Sequence, residues 1–379
     1  GFNVSTYGFT LGEVMSQEML VEVQYYVEDV QNDVEGSGFA KDNGLLTTRT
    51  ILKMVYGSDE HAFTAGLDII EHDEDTAIQD SGVDTDLSLT KKETGYYIND
   101  SYSFSDSMVL QAGYRKAEAE YDFSISGTCA GGPLDKQGSL KVEEKAYNLG
   151  MAYVYGEGSR FYTNYTHGFR FPSTHEIMDP CTGTFYRLKP EVSETKEVGL
   201  VHTFGGGTNI RATYFTAQVD DEVIMDGSGP EQESTKRIGY ELGFSYGLME
   251  GMALDVNYVK TDAEITSGAY NGSQVPLVPE QAASASLSAR FGSLTFVFQG
   301  RWTDNRIMAG DLANSEPDMS EYVTLNGKMS YDFQGGIFYI GVNNILEEEY
   351  VDYADTGSGS PVYYPASGRR YYAGIRMAL

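Results

Sequence analysis

The sequence predicts an all-β protein, a transmembrane antiparallel β-barrel of roughly 17 strands. Two observations carry this: apolar residues recur with a period of two, and the connections alternate between short turns and long polar loops. In residues 322 to 333, Val323, Leu325, Gly327, Met329, Tyr331 and Phe333 take one face, and Thr324, Asn326, Lys328, Ser330 and Asp332 take the other. Successive strand side chains point to opposite faces, so the segment is a strand with one apolar and one polar side. The pattern resumes after Gln334-Gly335-Gly336 with Phe338, Ile340 and Val342. It returns in Tyr371, Ala373, Ile375, Met377 and Leu379, set against Arg370, Tyr372, Gly374 and Arg376. Leu294, Phe296, Phe298 and Trp302 likewise oppose Thr295, Gln299 and Arg301, and Met108, Leu110, Ala112 and Tyr114 oppose Gln111 and Arg115. Apolar groups on one side and charged or polar groups on the other suit a wall with lipid outside and water within. The pairs Tyr25-Tyr26, Tyr96-Tyr97, Tyr363-Tyr364 and Tyr371-Tyr372 are expected near strand ends. There the apolar ring and the hydroxyl each find their own phase.

Short turns are expected near residues 57–59, 105–107, 156–158, 205–207, 249–251, 292–293 and 334–336, all rich in Gly, Ser and Asp. Long polar loops are expected at 32–44, 73–85, 124–139, 170–191, 226–235, 267–281, 308–319 and 348–368. Sorting of loops by length describes a barrel whose turns face the periplasm and whose loops face the exterior. The last long loop precedes the final strand, so Leu379 falls on the short-turn side. An odd strand count then places Gly1 on the opposite side, so either the chain begins in mid-barrel, the favoured expectation, or the count misses one strand.

The bulk properties agree. No run of 18 apolar residues exists and mean hydropathy is −0.35, which excludes a membrane-spanning helix but not a barrel, whose strands average out. Gly 43, Tyr 29 and Phe 18 against a single Trp favour strands and turns. With 26 basic and 56 acidic residues the net charge is −30, which argues against nucleic acid, where a basic stripe is the footprint. The acid gathers in loop-like segments and reads first as a solvated outer surface, with concentration of cationic ligands as the other reading. Cys129 and Cys181 both fall in segments read as loops, which predicts a loop-to-loop disulfide in an oxidising compartment over two free thiols. No phosphate-cradling Gly-Lys-Ser/Thr loop, Gly-x-Ser-x-Gly elbow or Cys-x-x-Cys pair supports an enzyme, and no cofactor is expected. Asp220-Asp221-Glu222 with Asp226 lacks the periodicity and turn glycine of a calcium loop, so no metal site is expected there.

From Tyr162 to Glu194 a more specific pattern appears. Gly168-Phe169-Arg170, then Pro172, then Glu176, then Leu188-Lys189-Pro190-Glu191 ahead of Glu197-Val198-Gly199 resembles the barrel signature of TonB-dependent outer-membrane receptors. Val342-Asn343-Asn344-Ile345-Leu346 with Glu349-Tyr350, Tyr364-Pro365 and Gly368-Arg369 is similar to that family's closing hairpin, and Pro276 and Pro279 fit as well. The resemblance covers residues from about 90 to 379 by motif and the first 90 by strand rhythm. Two departures stand out: the family's plug and TonB-engaging segment have no counterpart here, and the terminal residue is Leu379 where the family ends in an aromatic.

The resemblance implies a 22-stranded barrel with a plugged lumen. Residues 1–379 would be its C-terminal portion, with the plug and about five strands upstream. It further implies an outer-membrane location among lipid and lipopolysaccharide, TonB as an energising partner through the upstream segment, and import of a bulky ligand such as a ferric siderophore, haem or a corrinoid. A passive porin shares the architecture but closes with fewer strands, about 16 to 18, and needs no plug. A secreted all-β adhesin would not need unbroken apolar faces. His175 lies where haem-importing members place a loop histidine, with Met178 nearby as a soft second ligand; the other reading is an ordinary loop histidine. Arg170 is expected to hold a loop to the wall through a carboxylate more than to bind ligand. Loops around His175, Tyr186 and Asp226 are expected to make first contact with the ligand.

Overall fold

The computed structural model describes every residue except 1, 17, 37–38, 81–82, 130–131, 180–181, 227–228, 357–359 and 378–379; for 36, 39, 225 and 226 it describes the backbone only. The described residues form 21 strands and one short helix. They divide into two compact units, Gly1–Met151 with Tyr165–Glu194, and Ala152–Asn164 with Thr195–Leu379.

The first unit holds β1 (Phe2–Ser16), β2 (Met19–Gly36), β3 (Phe39–Gly57), β4 (His61–Asp80), β5 (Val83–Ser105), β6 (Met108–Cys129) and most of β7 (Gly132–Gly156). To these it adds the end of β8 (Ser159–Arg170), α1 (Thr174–Ile177), the ribbon of β9 (Met178–Asp179) with β10 (Thr184–Phe185), and the start of β11 (Glu191–Thr203). Each strand from β1 to β6 pairs antiparallel with the next. The β2–β3 register runs from Met19↔Tyr56 to Gly36↔Phe39 without a shift.

The second unit continues with β12 (Asn209–Asp226), β13 (Gly229–Met249), β14 (Met252–Ile265), β15 (Gln281–Phe291), β16 (Leu294–Thr303), β17 (Tyr322–Phe333) and β18 (Gly336–Asn343). The ribbon of β19 (Val351–Asp355) with β20 (Val362–Pro365) follows, and then β21 (Arg370–Met377). Neighbours from β12 to β18 pair antiparallel in chain order, and β18 pairs with β21. Apart from the ribbons β9–β10 and β19–β20, seventeen strands carry the wall, the expected number.

The two-sidedness is also as expected. On β13, Tyr240, Leu242, Phe244, Tyr246 and Leu248 are all exposed on one face. Tyr240 to Tyr246 is about 20 Å along a strand, the scale of an apolar band between two aromatic girdles. Phe298, Phe338, Ile340, Ile375 and Met377 are exposed, Phe296 and Val342 half-buried, and none is packed into an interior. Trp302, at the end of β16, donates its indole N–H to Glu321 at 3.0 Å, as a ring at a lipid–water boundary requires. On the opposite face Arg115 meets Asp68 in a two-pronged pair at 2.6 and 2.8 Å, and Tyr372 lies over Gly341 while Tyr339 lies over Gly374, places a Cβ would occupy.

Strand length is where the sequence reading needs correction. The described residues of segments 32–44, 73–85, 124–139 and 226–235, read as long loops, are extensions of β2–β3, β4–β5, β6–β7 and β12–β13. β5 has 23 residues and β7 has 25. At about 3.3 Å per residue these reach roughly 75 to 80 Å, far beyond a hydrocarbon layer of about 30 Å. Outside lipid both faces are wet, so a strand there can carry Asp, Gly and Ser and still form its ladder. Loop-like composition recorded solvation, not the end of pairing. Tyr25-Tyr26 and Tyr96-Tyr97 accordingly sit inside their strands, six to nine residues from the end at the short turn, instead of at a strand end.

One irregularity re-aims a side chain. In β12 the register shifts between Val219 and Glu222, with Asp221 at φ 55, so one extra residue is accommodated as a bulge. That turns Glu222 to the face of Arg237, which donates to it through Nη1 at 3.0 Å and Nη2 at 2.8 Å.

A charge on the exposed apolar face should be costly and one on the polar face should not. Leu242→Arg is expected to destabilise the folded barrel in phospholipid vesicles by roughly 2–4 kcal/mol, and Ser286→Arg by less than about 1 kcal/mol, measured by urea titration with tryptophan fluorescence.

Candidate functional site

The segment from Arg170 to Glu191 is a folded strap in the first unit, not an open loop. Arg170, the last residue of β8, donates from Nε to Glu191 at 2.7 Å and from Nη1 and Nη2 to Glu176 at 2.9 Å each, and a further short contact joins Nη2 to Glu191. One planar guanidinium thus joins the strand before the strap, the helix within it and the strand after it. A forked cation serves this better than a point charge would. Glu176 also accepts the backbone N–H of Ser173 at 2.7 Å, the acidic half of a capping box. Burial alone would raise the Glu176 carboxyl, but the Arg170 and Ser173 bonds outweigh it and hold the group below its ordinary value. The bond to Glu191, and with it that to Glu176, raises Arg170 against its burial, so it stays charged at any working pH.

The strap lies on the wall through apolar contacts. Phe171, Pro172, Ile177, Met178 and Leu188 are buried, as are Leu89, Tyr121, Phe123 and Ile125 on β5 and β6. Tyr121 donates its hydroxyl to the Pro172 carbonyl at 2.7 Å, and Phe123 stacks on Phe185 with centroids 4.4 Å apart. Gly183, at φ +61, lies against Ile125, Leu134 and Lys136, and the Lys136 ammonium donates to the carbonyls of Thr182 and Gly183 at 3.2 and 3.0 Å. The left-handed backbone there is one that glycine adopts without strain.

The expected site residues are placed as follows. His175 is 68% exposed, with Nδ1 3.2 Å from Glu74, a carboxylate that is only 5% exposed. Met178 is buried at 3%, under the ribbon that pairs it with Phe185. Tyr186 is half-buried and its backbone N–H donates to Ile177. Asp226 belongs to the second unit; its backbone pairs with Gly229, and its side chain lies outside the described residues. Cys129 ends β6, and Cys181 lies outside the described residues, so the expected disulfide does too. Sequence reasoning named a carboxylate partner for Arg170 without identifying it. The spacing Ser173-x-x-Glu176 was the available signal for one of the two, whereas Glu74, Tyr121 and Phe123 are distant in sequence and left none. Among the described residues no three His, Cys, Asp or Glu side chains converge as metal ligands.

Against known proteins, the description "TonB dependent receptor-like, beta-barrel" matches residues 2–345. The chain belongs to the TonB-dependent receptor β-barrel family. A probable TonB-dependent siderophore receptor of Acinetobacter baumannii is 21% identical over 365 residues, 90% of this chain and 46% of that protein. An iron-regulated outer membrane virulence protein of Vibrio cholerae is 24% identical over 244 residues, 56% of this chain and 36% of that protein. This receptor barrel therefore spans less than half the length of these relatives. Among solved structures, the ferric yersiniabactin uptake receptor of Yersinia pestis has the same fold, with a TM-score of 0.84 at 17% identity over 99% of this chain and 61% of that one.

Removing the guanidinium should free the strap and leave the wall intact. Arg170→Ala leaves two half-buried carboxylates without their cation and is expected to cost the strap roughly 1–3 kcal/mol, read as faster amide exchange at Ile177 and Tyr186 with β5 and β6 unchanged. In acid the wild type should behave in the same way. A carboxyl held below its ordinary 4.5 contributes its stability above that value and loses it as the pH falls through the lower folded value. Exchange at these amides should therefore accelerate only below about pH 4.5.

Proposed function

We propose that this chain forms the translocating wall of an outer-membrane receptor that imports a bulky metal chelate when TonB energises it, the ligand being a ferric siderophore, haem or a corrinoid. The observation that carries the reading is the family match over residues 2–345 on a wall whose apolar face is exposed. The related proteins from A. baumannii and V. cholerae, a siderophore receptor and an iron-regulated outer membrane protein by name, support an iron chelate. A barrel of the size this family builds is an open hole unless plugged, so passage of a scarce ligand needs a seal and an outside source of energy to move it. In this reading residues 1–379 are the C-terminal part of the barrel, and the plug and TonB-engaging segment belong to the upstream part of the protein.

The strap residues His175 and Tyr186, together with the β12–β13 tip at Asp226, are the surfaces for first contact with the ligand. His175 is presented outward with Glu74 on Nδ1, which leaves Nε2 as its ligand position. Arg170, committed to two carboxylates, sets the strap's posture instead of touching ligand. The apolar outer face is the surface for lipid and lipopolysaccharide.

Uptake decides the matter. A strain expressing the complete gene should accumulate radio-iron from a ferric chelate, and deletion of TonB should abolish accumulation. The complete protein should also show little constitutive conductance in planar bilayers. Undiminished uptake without TonB, or high steady conductance, would make it a porin.

A further inference from the structure

The second unit holds a cavity of about 510 Å³ between residues 319–321, just ahead of β17, and the chain over 348–368 that carries the β19–β20 ribbon. Its volume is in the range of sites that hold a small molecule. The wall is of two kinds: Tyr350, Val351, Tyr363 and Pro365 supply rings and hydrocarbon, and Glu321, Glu348 and Glu349 supply carboxylates. Among the described residues that line it there is no Lys, Arg or His. Arg369 is instead paired with Glu347 at 3.1 Å, and Arg306 donates to the carbonyls of Val351 and Asp352 at 3.0 and 3.1 Å.

Neighbouring groups hold this wall in shape. The buried Asn344 side chain accepts the backbone N–H of Glu348 and donates to its carbonyl, both at 2.9 Å, so one residue closes the turn that presents Glu348 and Glu349. Glu321 is oriented by the Trp302 indole, and Tyr350 is backed by Tyr322 with ring centroids 4.1 Å apart. Along β20 Tyr363 points the other way from Tyr364, which packs against Tyr353. The three carboxylates do not converge as ligands for one metal ion. A hydrated metal ion would gain nothing from the rings and hydrocarbon between them, because hard cations take oxygen ligands.

We propose that this cavity binds a protonated aliphatic polyamine, with Glu348 and Glu349 accepting its ammonium N–H groups and the rings of Tyr350 and Tyr363 covering its methylenes. Carboxylates set apart along a partly apolar wall match a ligand whose charges are set apart along a hydrocarbon chain. Each ammonium gains charge-assisted hydrogen bonds from a carboxylate and attraction from an aromatic face, and the methylenes between them leave water. The acidic surface has a part in this too: at a net charge of −30 it raises the local concentration of polycations. The surface attracts any cation, and the cavity selects one that is both charged and apolar. This binding is independent of the uptake reading above.

The test is titration calorimetry of the complete protein in detergent, with spermidine, propylamine and Mg²⁺ as probes. Spermidine is expected to bind at a single site, more tightly than either other probe, and to weaken as salt rises. The Glu348→Gln/Glu349→Gln double variant should lose roughly tenfold or more in spermidine affinity. Tyr363→Leu should lose several-fold where Tyr363→Phe keeps the wild-type value, since the ring and not the hydroxyl meets the cation. Asp33→Asn/Asp42→Asn, a pair of facing carboxylates on β2 and β3, should bind as wild type does. Asn344 bonds only the backbone of Glu348, so the Gln variants should fold, which heat-modifiable gel migration checks. The inference is overturned by an absence of spermidine binding, by Mg²⁺ or propylamine binding as tightly, or by equal losses in the two carboxylate double variants, which would mean diffuse attraction to an acidic surface. Wild-type affinity in Tyr363→Leu overturns it as well, and that variant leaves every carboxylate in place.

Discussion

Everything in this molecule follows from the rule that backbone N–H and C=O groups crossing hydrocarbon must bond to one another, because no water is there to take them. A wall of strands meets that rule only if each is paired over the whole crossing. The ladders comply: β4–β5 runs from His61↔Tyr102 to Asp80↔Val83 without a shift. Once pairing is fixed, the pleat fixes the side chains, and each strand must show alternate residues to lipid and to water. Exposed Leu, Phe and Tyr on β13 and the polar row Thr324, Asn326, Lys328 and Ser330 on β17 are two consequences of a single constraint.

Beyond lipid the rule relaxes and packing takes over. The fully buried side chains are not in the middle of the strands but towards their long-loop ends: Leu89, Tyr121, Ile125 and Ile177 in the first unit, and Ile265, Met308 and Leu312 in the second. Ile265 and Leu312 join Ala263 and Val275 in one small core, and Met308 joins Met319 and Ala354 in another. The first core fastens connecting segments to β14, and the second fastens the segment between β16 and β17 to the β19 ribbon. The Arg170 clamp adds direction to the first unit's packing, because apolar contact is indifferent to orientation and a forked guanidinium is not.

These two regimes explain what was legible in the sequence. The short turns, the seventeen strands and the lipid face of residues 294–302 or 338–342 could be read because period two is enforced wherever lipid touches the wall. The extensions of β4–β5 and β6–β7 could not, since Asp73 to Asp86 looks the same in a wet strand as in a loop. The strap was half legible. Its helix start shows in Ser173-x-x-Glu176, but that Tyr121 reaches the Pro172 carbonyl, or that Glu74 faces His175, depends on register between strands far apart in sequence. The β12 bulge shows the same limit: Asp220-Asp221-Glu222 reads as a solvated acidic run, and only the shifted register reveals that Glu222 turns inward to Arg237.

Charge placement completes the physical picture. A net of −30 costs little on hydrated strand extensions, where the Debye length of about 8 Å isolates separated carboxylates. Inside a barrel wall the same acid is repelled by its neighbours unless a cation closes it, as Arg115 closes Asp68 and Arg237 closes Glu222.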